Sequence, residues 1–292
     1  MFQGAYTAII TPFKDNGKVD EEAFKKLIDF QIENKIDGIV PCGTTGESPT
    51  LSHEEHERVI EICARHVDGR VPVIAGAGSN STAEAISLTK HAKEAGADAV
   101  LQVNPYYNKP TQKGLYLHFK AIADAVDIPI IVYNIKGRTA VNVETPTLVR
   151  LMNDCENIAA VKEASGDINQ MKDVIAQRKN GFSVLSGDDN MTLSLIKEGG
   201  DGVISVASNL VPNRIVAMVH AALDGKIEEA ERLDKNLAEL FKACFIETNP
   251  IPIKTALAMK GMCREVFRLP MCSMEDANKE KLMKVFKEMK IL

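Results

Sequence analysis

The chain has 292 residues, 45% of them hydrophobic and 26% charged, with a formal net charge of −5. This is the profile of a globular chain with enough apolar material for a large core, and it offers no electrostatic case for binding nucleic acid or an anionic membrane surface. No apolar stretch reaches the length of a membrane span, and the start "MFQGAYTAIITPFKDNG" has neither a basic segment nor a cleavage pattern, so the expected location is cytoplasmic.

Taken in chain order, short apolar runs alternate with amphipathic ones. Strands are predicted at 4–11, 37–43, 71–78, 99–105, 129–135, 158–164, 182–188 and 202–208. Each is nearly continuous in apolar residues, as strands covered on both faces should be. The first helix starts from Asp20. The second starts at Ser52 with Glu55 three residues on, the pattern of a reciprocal N-terminal cap, and Ser81 with Glu84 repeats it, with Gly96 closing that helix. Further helical periodicity follows at 113–126, 145–154, 168–179, 190–200 and 211–225. Eight strand–helix pairs predict a parallel sheet, and eight is the number that closes a (β/α)8 TIM barrel. An open doubly wound sheet is the rival. From residue 226 helices continue without strands, so the chain divides into a barrel over 1–225 and a small all-helical C-terminal domain over 226–292.

Several chemistries lack their residues. Six cysteines are scattered without a CxxC and read as reduced thiols. "GAGSNS" (76–81) lacks the third glycine of a dinucleotide loop, and neither a Walker A loop nor a G-x-S-x-G elbow is present. "HEEH" (53–56) supplies two histidines, too few for a metal site.

In a barrel the chemistry sits at the carboxyl ends of the strands. Lys162 lies near the end of strand six behind the apolar residues Ile158–Val161. If it faces inward, burial lowers its pKa, and the neutral amine can attack a ketone or aldehyde to form a Schiff base. If it faces outward, it is a salt-bridging lysine, and the alternation of a strand allows either. Tyr133 ends the neighbouring strand, where a phenol can shuttle the protons of that reaction, although alone it reads as a core tyrosine. "GTTGE" (43–47) can converge N–H groups and the hydroxyls of Thr44 and Thr45 on a carboxylate, or can be a plain turn. Arg138, in the loop after strand five, can clamp a second carboxylate.

"GTTGES", "NPYYNKP", "YNIKGRT" and "VKEASGD" together resemble the pyruvate-dependent class I aldolases of the N-acetylneuraminate lyase type, and within them the dihydrodipicolinate synthase (4-hydroxy-tetrahydrodipicolinate synthase) family. The resemblance runs the length of the chain, including 199–212 and 249–257. It implies Lys162 as the Schiff-base lysine for pyruvate, Tyr133 as the proton relay with Thr44 and Tyr107 as its partners, and Thr45 with main chain near Ile204 at the pyruvate carboxylate. It implies Arg138 as the receptor for the carboxylate of L-aspartate semialdehyde. The implied reaction is a condensation without metal or organic cofactor, the committed step of lysine and diaminopimelate biosynthesis. A sister aldolase acting on N-acetylneuraminate or a keto-deoxy sugar acid is the alternative. Lys136 and Ala140 depart from the proline and glycine common in the family. The resemblance further implies a homotetramer, a dimer of dimers in which Tyr107 reaches the neighbouring site. It also implies inhibition by L-lysine at Ser48, Pro49, His53, His56, Asn80, Glu84 and Tyr106, a group that adjacent strand–helix units bring to one end of the barrel.

Overall fold

The computed structural model describes residues 1–291. Eight strands, β1 (Gly4–Ala8), β2 (Gly38–Val40), β3 (Ile74–Gly76), β4 (Ala99–Val103), β5 (Ile130–Asn134), β6 (Ile158–Glu163), β7 (Ser183–Ser186) and β8 (Gly202–Ser205), pair in parallel in the order β2-β1-β8-β7-β6-β5-β4-β3. The gap between β2 and β3 is bridged by the parallel pair Ile39–Val73 and by Gly76 N donating to Pro41 O at 2.9 Å. The sheet is therefore a barrel and not the open rival. All eight strands fall inside their predicted runs and are shorter than predicted, because the carboxyl ends of those runs leave the ladder as the loops of one rim.

The helices are α1 (Glu21–Glu33), α2 (His53–Val67), α3 (Thr82–Glu94), α4 (Gln112–Ala125), α5 (Lys136–Thr139), α6 (Thr145–Asp154), α7 (Ile168–Gln177), α8 (Thr192–Lys197), α9 (Pro212–Leu223), α10 (Ile227–Ala243), α11 (Ile251–Met259) and α12 (Asp276–Glu288). Asp20 caps α1 by accepting from Ala23 N, and Ser52 and Glu55 form the full reciprocal cap of α2. The cap at α3 forms only in half. Ser81 accepts from Glu84 N, but the Glu84 carboxylate turns to Ser79 Oγ and to His53 Nε2 at 2.8 Å. The single turn α5 has no counterpart in the sequence reading, since four residues are too few to show a period. None of the described helices is long and apolar enough to cross a membrane.

Strand alternation divides the apolar residues into two bodies. Tyr6, Ala8, Val40, Leu101, Tyr133 and Ile204 belong to the barrel interior. Val132, Val161 and Val184 face the other way and join the helices in the larger core. The glycines of "GAG" serve barrel closure. A Cβ on Gly76 would run into Cys42 O, and one on Gly78 into Val103 N.

The chain after β8 returns to the rim. Lys254 on α11 is fully buried and donates to Glu47 Oε1 at 2.6 Å, with its ammonium 4.0 Å from the Phe13 ring centroid. Glu47 also accepts from Arg268 N at 3.3 Å, and Arg268 clamps Glu55 through two bonds of 2.6 Å. Removing one member of a buried pair strands the other charge, which typically costs about 3–5 kcal/mol. Lys254→Ala should therefore lower unfolding free energy by about that amount, and Glu47→Gln combined with Lys254→Met by clearly less, as read by denaturant melts.

Candidate active site

Lys162 faces inward. In β6 the alternation sends Ala160, Lys162 and Ala164 to one side and Val161 and Glu163 to the other, so the inward reading of the lysine holds and Glu163 is not its partner. Cα of Lys162 is registered opposite Cα of Tyr133 on β5, and the lysine Nζ lies 4.3 Å from the Tyr133 ring centroid. Lys162 is 5% exposed. Burial holds its amine down to about 8, against the upward pull of the Asp188 and Asp189 carboxylates. At pH 7 about one amine in ten is then the free base, against roughly four in ten thousand for an ordinary lysine. Burial drives the Tyr133 phenol well above its usual range, so it stays protonated and able to donate, with Thr44 as a hydrogen-bond partner.

The walls come from several strand ends. A small cavity beside Lys162 is lined by Thr44, Thr45, Tyr133, Arg138, Asp188 and Asn249, among others. Gly187 is required here. A Cβ on it would lie 2.6 Å from Ala164 Cβ and 3.1 Å from Lys162 Cε, and its N donates to Glu163 O at 2.8 Å. Asn249 joins both expected carboxylate receptors: its Nδ2 donates to Thr45 Oγ1 at 3.0 Å and its carbonyl accepts from Arg138 Nη2 at 3.2 Å. Behind β6, Glu163 is fully buried and accepts from Asn134 Nδ2, Ser165 N and Gln170 Nε2. Burial raises this carboxyl. Ala140, where the resemblance expects glycine, takes a φ of 59° as it ends α5, a left-handed conformation that costs a non-glycine residue about 1 kcal/mol.

Two expected members do not line this cavity. Ile204 lies wholly inside the barrel, paired with Tyr6, and the residue of that segment on the cavity is Val206. Tyr107 is 90% exposed with a φ of 71° and is not among the residues lining its own chain's cavity, consistent with the expectation that it reaches a neighbour's. Its neighbour Tyr106 lies on a different wall, that of the larger cavity.

A larger cavity of about 330 Å³ opens beside the first. Ser48, Pro49, His53, His56, Glu84 and Tyr106 line it, six of the seven residues expected for lysine. Asn80 does not. Its amide donates to Tyr106 O at 3.2 Å and its carbonyl accepts from Asn108 Nδ2, so it holds the Tyr106 loop from behind. Burial holds His56 down to about 4, so it is neutral, and its Nδ1 has no partner among the described residues. The Ser79 and His53 bonds hold Glu84 below the usual carboxylate range. Thr44, Tyr133, Ile135 and Arg138 stand on the walls of both cavities.

This arrangement agrees with what the chain resembles. The model of the Dihydrodipicolinate synthetase family matches residues 1–289. The chain belongs to that family. It is 55% identical to the 4-hydroxy-tetrahydrodipicolinate synthase of Endomicrobium trichonymphae over 292 residues, all of both chains. The crystal structure of dihydrodipicolinate synthase from Aquifex aeolicus superposes with a TM-score of 0.98 at 51% identity, covering 99% of each chain. Two other family structures bear on assembly and control. One, from Cyanidioschyzon merolae, was solved with lysine bound (TM-score 0.97, 41% identity, 100% and 99% covered). The other is a monomeric variant (TM-score 0.98, 43% identity, 100% and 98% covered).

Sequence reasoning passed over Asp188 and Asn249. Asp188 stood at the end of the predicted strand run 182–188 without a role, and Asn249 arrives from the C-terminal segment, far from Thr45 in sequence. The depressed amine yields a direct check. Acylation of Lys162 by a neutral reagent, followed residue by residue by mass spectrometry, should rise with pH through a midpoint near 8. Exposed lysines should rise near their ordinary value, and a shared midpoint would contradict the burial argument.

Proposed function

We propose that this chain condenses pyruvate with L-aspartate 4-semialdehyde to 4-hydroxy-tetrahydrodipicolinate through a Schiff base on Lys162. The observation that carries the reading is the buried amine on the face of Tyr133, in a cavity with Thr44, Thr45 and Arg138. The neutral amine adds to the pyruvate carbonyl, and the carbinolamine loses water to form the imine. The imine loses a methyl proton and becomes an enamine. Its carbon attacks the aldehyde, and the substrate amine then displaces Lys162 and closes the ring. Tyr133 donates and recovers the protons of these steps, with Thr44 as its neighbour. Thr45 holds the pyruvate carboxylate and Arg138 that of the semialdehyde. The protonated imine is itself the electron sink, so no step calls on a metal or organic cofactor.

Pyruvate with borohydride should add the mass of one reduced pyruvate, located at Lys162, and Lys162→Ala should abolish it. A coupled assay should show turnover with aspartate semialdehyde and none with N-acetylmannosamine. Labelling of another lysine, or preference for the sugar, would refute the reading.

We further assign the larger cavity to L-lysine as an inhibitor. Glu84 suits its ammonium, while His56 Nδ1 and Ser48 suit its polar ends. Glu84→Ala should raise the lysine concentration for half-inhibition at least about tenfold while leaving uninhibited turnover within about twofold, since coupling between sites is typically ~1–3 kcal/mol. Inhibition that merely competes with pyruvate would argue against a separate site. The exposed, backbone-strained Tyr107 supports copies of this chain meeting at this loop as a homotetramer, a dimer of dimers, each Tyr107 completing a neighbour's relay, because strain of this kind persists where function requires it. Six free cysteines suit a reducing cytoplasm.

A further inference from the structure

Two aspartates follow β7 and differ in what holds them. Asp189 is buried with its carboxylate fully engaged, accepting from Ser205 Oγ at 2.5 Å, Val206 N at 3.0 Å and Ala207 N at 2.9 Å. It ties the end of β7 to β8 and does not line the Lys162 cavity. Asp188 is the reverse. Its main chain is fastened: N donates to Ser186 Oγ at 3.2 Å, and O accepts from Ser186 Oγ at 2.7 Å and Thr192 Oγ1 at 3.1 Å. Its carboxylate has no hydrogen-bond partner among the described residues, and it is the one acidic side chain lining the Lys162 cavity.

The charges around it identify its ligand. Two cationic groups share the cavity with it, Lys162 and Arg138. Once Lys162 is bonded to pyruvate as the enamine, its nitrogen carries no charge and no longer offers a carboxylate an opposite charge. Arg138 is assigned to a substrate carboxylate. A half-buried carboxylate is thereby left facing the space where the aldehyde must enter, and leaving it unpaired is costly. The compound that resolves this has an ammonium beside its carboxylate.

We propose that Asp188 is a specificity-determining residue of this site that accepts the α-ammonium of the incoming amino-aldehyde, paired with Arg138 on the adjacent carboxylate. The inference rests on the reading of function above and names how the second substrate is told from aldehydes without an amine. A sugar aldehyde offers hydroxyls there, which can donate hydrogen bonds to Asp188 but bring no positive charge to match it. The rigid backbone around Asp188 suits the role, since a receptor fixed before binding loses little on forming the contact.

The test is Asp188→Asn, with wild-type protein alongside. Three quantities are measured: kcat/KM for aspartate semialdehyde, the inhibition constant of succinic semialdehyde (the same aldehyde and carboxylate without the amine), and the yield of borohydride-trapped pyruvate on Lys162. In the variant, kcat/KM for aspartate semialdehyde should fall about 10- to 100-fold, mainly through KM, as for loss of a charged hydrogen bond. The inhibition constant of succinic semialdehyde should change less than about threefold, and trapping should persist, showing an intact fold and lysine. Equal loss for both aldehydes would show that Asp188 acts only by tuning Lys162, and unchanged selectivity would show that it contacts neither, so each overturns the proposal. A wild-type protein that condenses no aspartate semialdehyde would instead overturn the functional reading, a separate result.

Discussion

The desolvation of one ammonium group organises the centre of this molecule. An isolated charge in the interior is costly enough that such a group pairs or gives up its proton. Lys162 sits between these two responses. The Tyr133 ring face and the carboxylates after β7 keep part of its charge, and burial removes the rest. A fully paired lysine would be inert as a nucleophile. The buried Lys254 has that arrangement, with Glu47 at 2.6 Å, and its place is structural. The two lysines differ in whether a carboxylate is directly bonded to the amine.

Holding Lys162 in that intermediate state requires rigid surroundings, because a carboxylate moving into contact would restore the charge. The supports lie on the far side of the strands. Glu163 points away from the cavity into a net of Asn134, Gln170 and Ser165 that fixes the end of β6. Asp189 fixes the end of β7 against β8, and Gly187 lets that loop approach the lysine stem. Alternation along one strand thus places the amine inside and its anchor outside, one residue apart. Sites built on strand ends with locked supporting contacts hold their geometry better than sites on free loops.

The legibility of the sequence follows the range of each interaction. The barrel could be read because every strand repeats the same signal, and Lys162 with Tyr133 could be read because adjacent strands in an eight-fold alternation must be neighbours. The grouping of Ser48, His53, His56, Glu84 and Tyr106 was legible for the same reason, as adjacent strand–helix units share an end. The cap at Ser81 misled in part. Its spacing fits the reciprocal pattern, but the His53 ring on the neighbouring helix offers Glu84 a partner that no local pattern announces. Asn249 was illegible because nothing near it in sequence reveals that the C-terminal segment folds back to bridge Thr45 and Arg138. The α5 turn and the φ of Ala140 are set by four residues, too few for periodicity to register.

The two cavities share Gly43, Thr44, Leu101, Tyr133, Ile135 and Arg138, and that wall narrows how they can communicate. No chain of intermediaries is needed between sites with common atoms. A ligand in the larger cavity that prefers one placement of the Tyr133 hydroxyl or the Arg138 fork changes the same groups that Lys162 chemistry uses. Affinity coupling is reciprocal, so a pyruvate imine that draws Tyr133 toward the lysine must alter the affinity of the larger cavity by an equal factor. Glu84 and His56 line only the larger cavity, outside the lining of the Lys162 cavity, and can therefore set affinity for a second ligand without touching the reacting atoms. On the proposed reading the division is physical: residues outside the shared wall would set whether the second ligand binds, and those on it what its binding does to the amine.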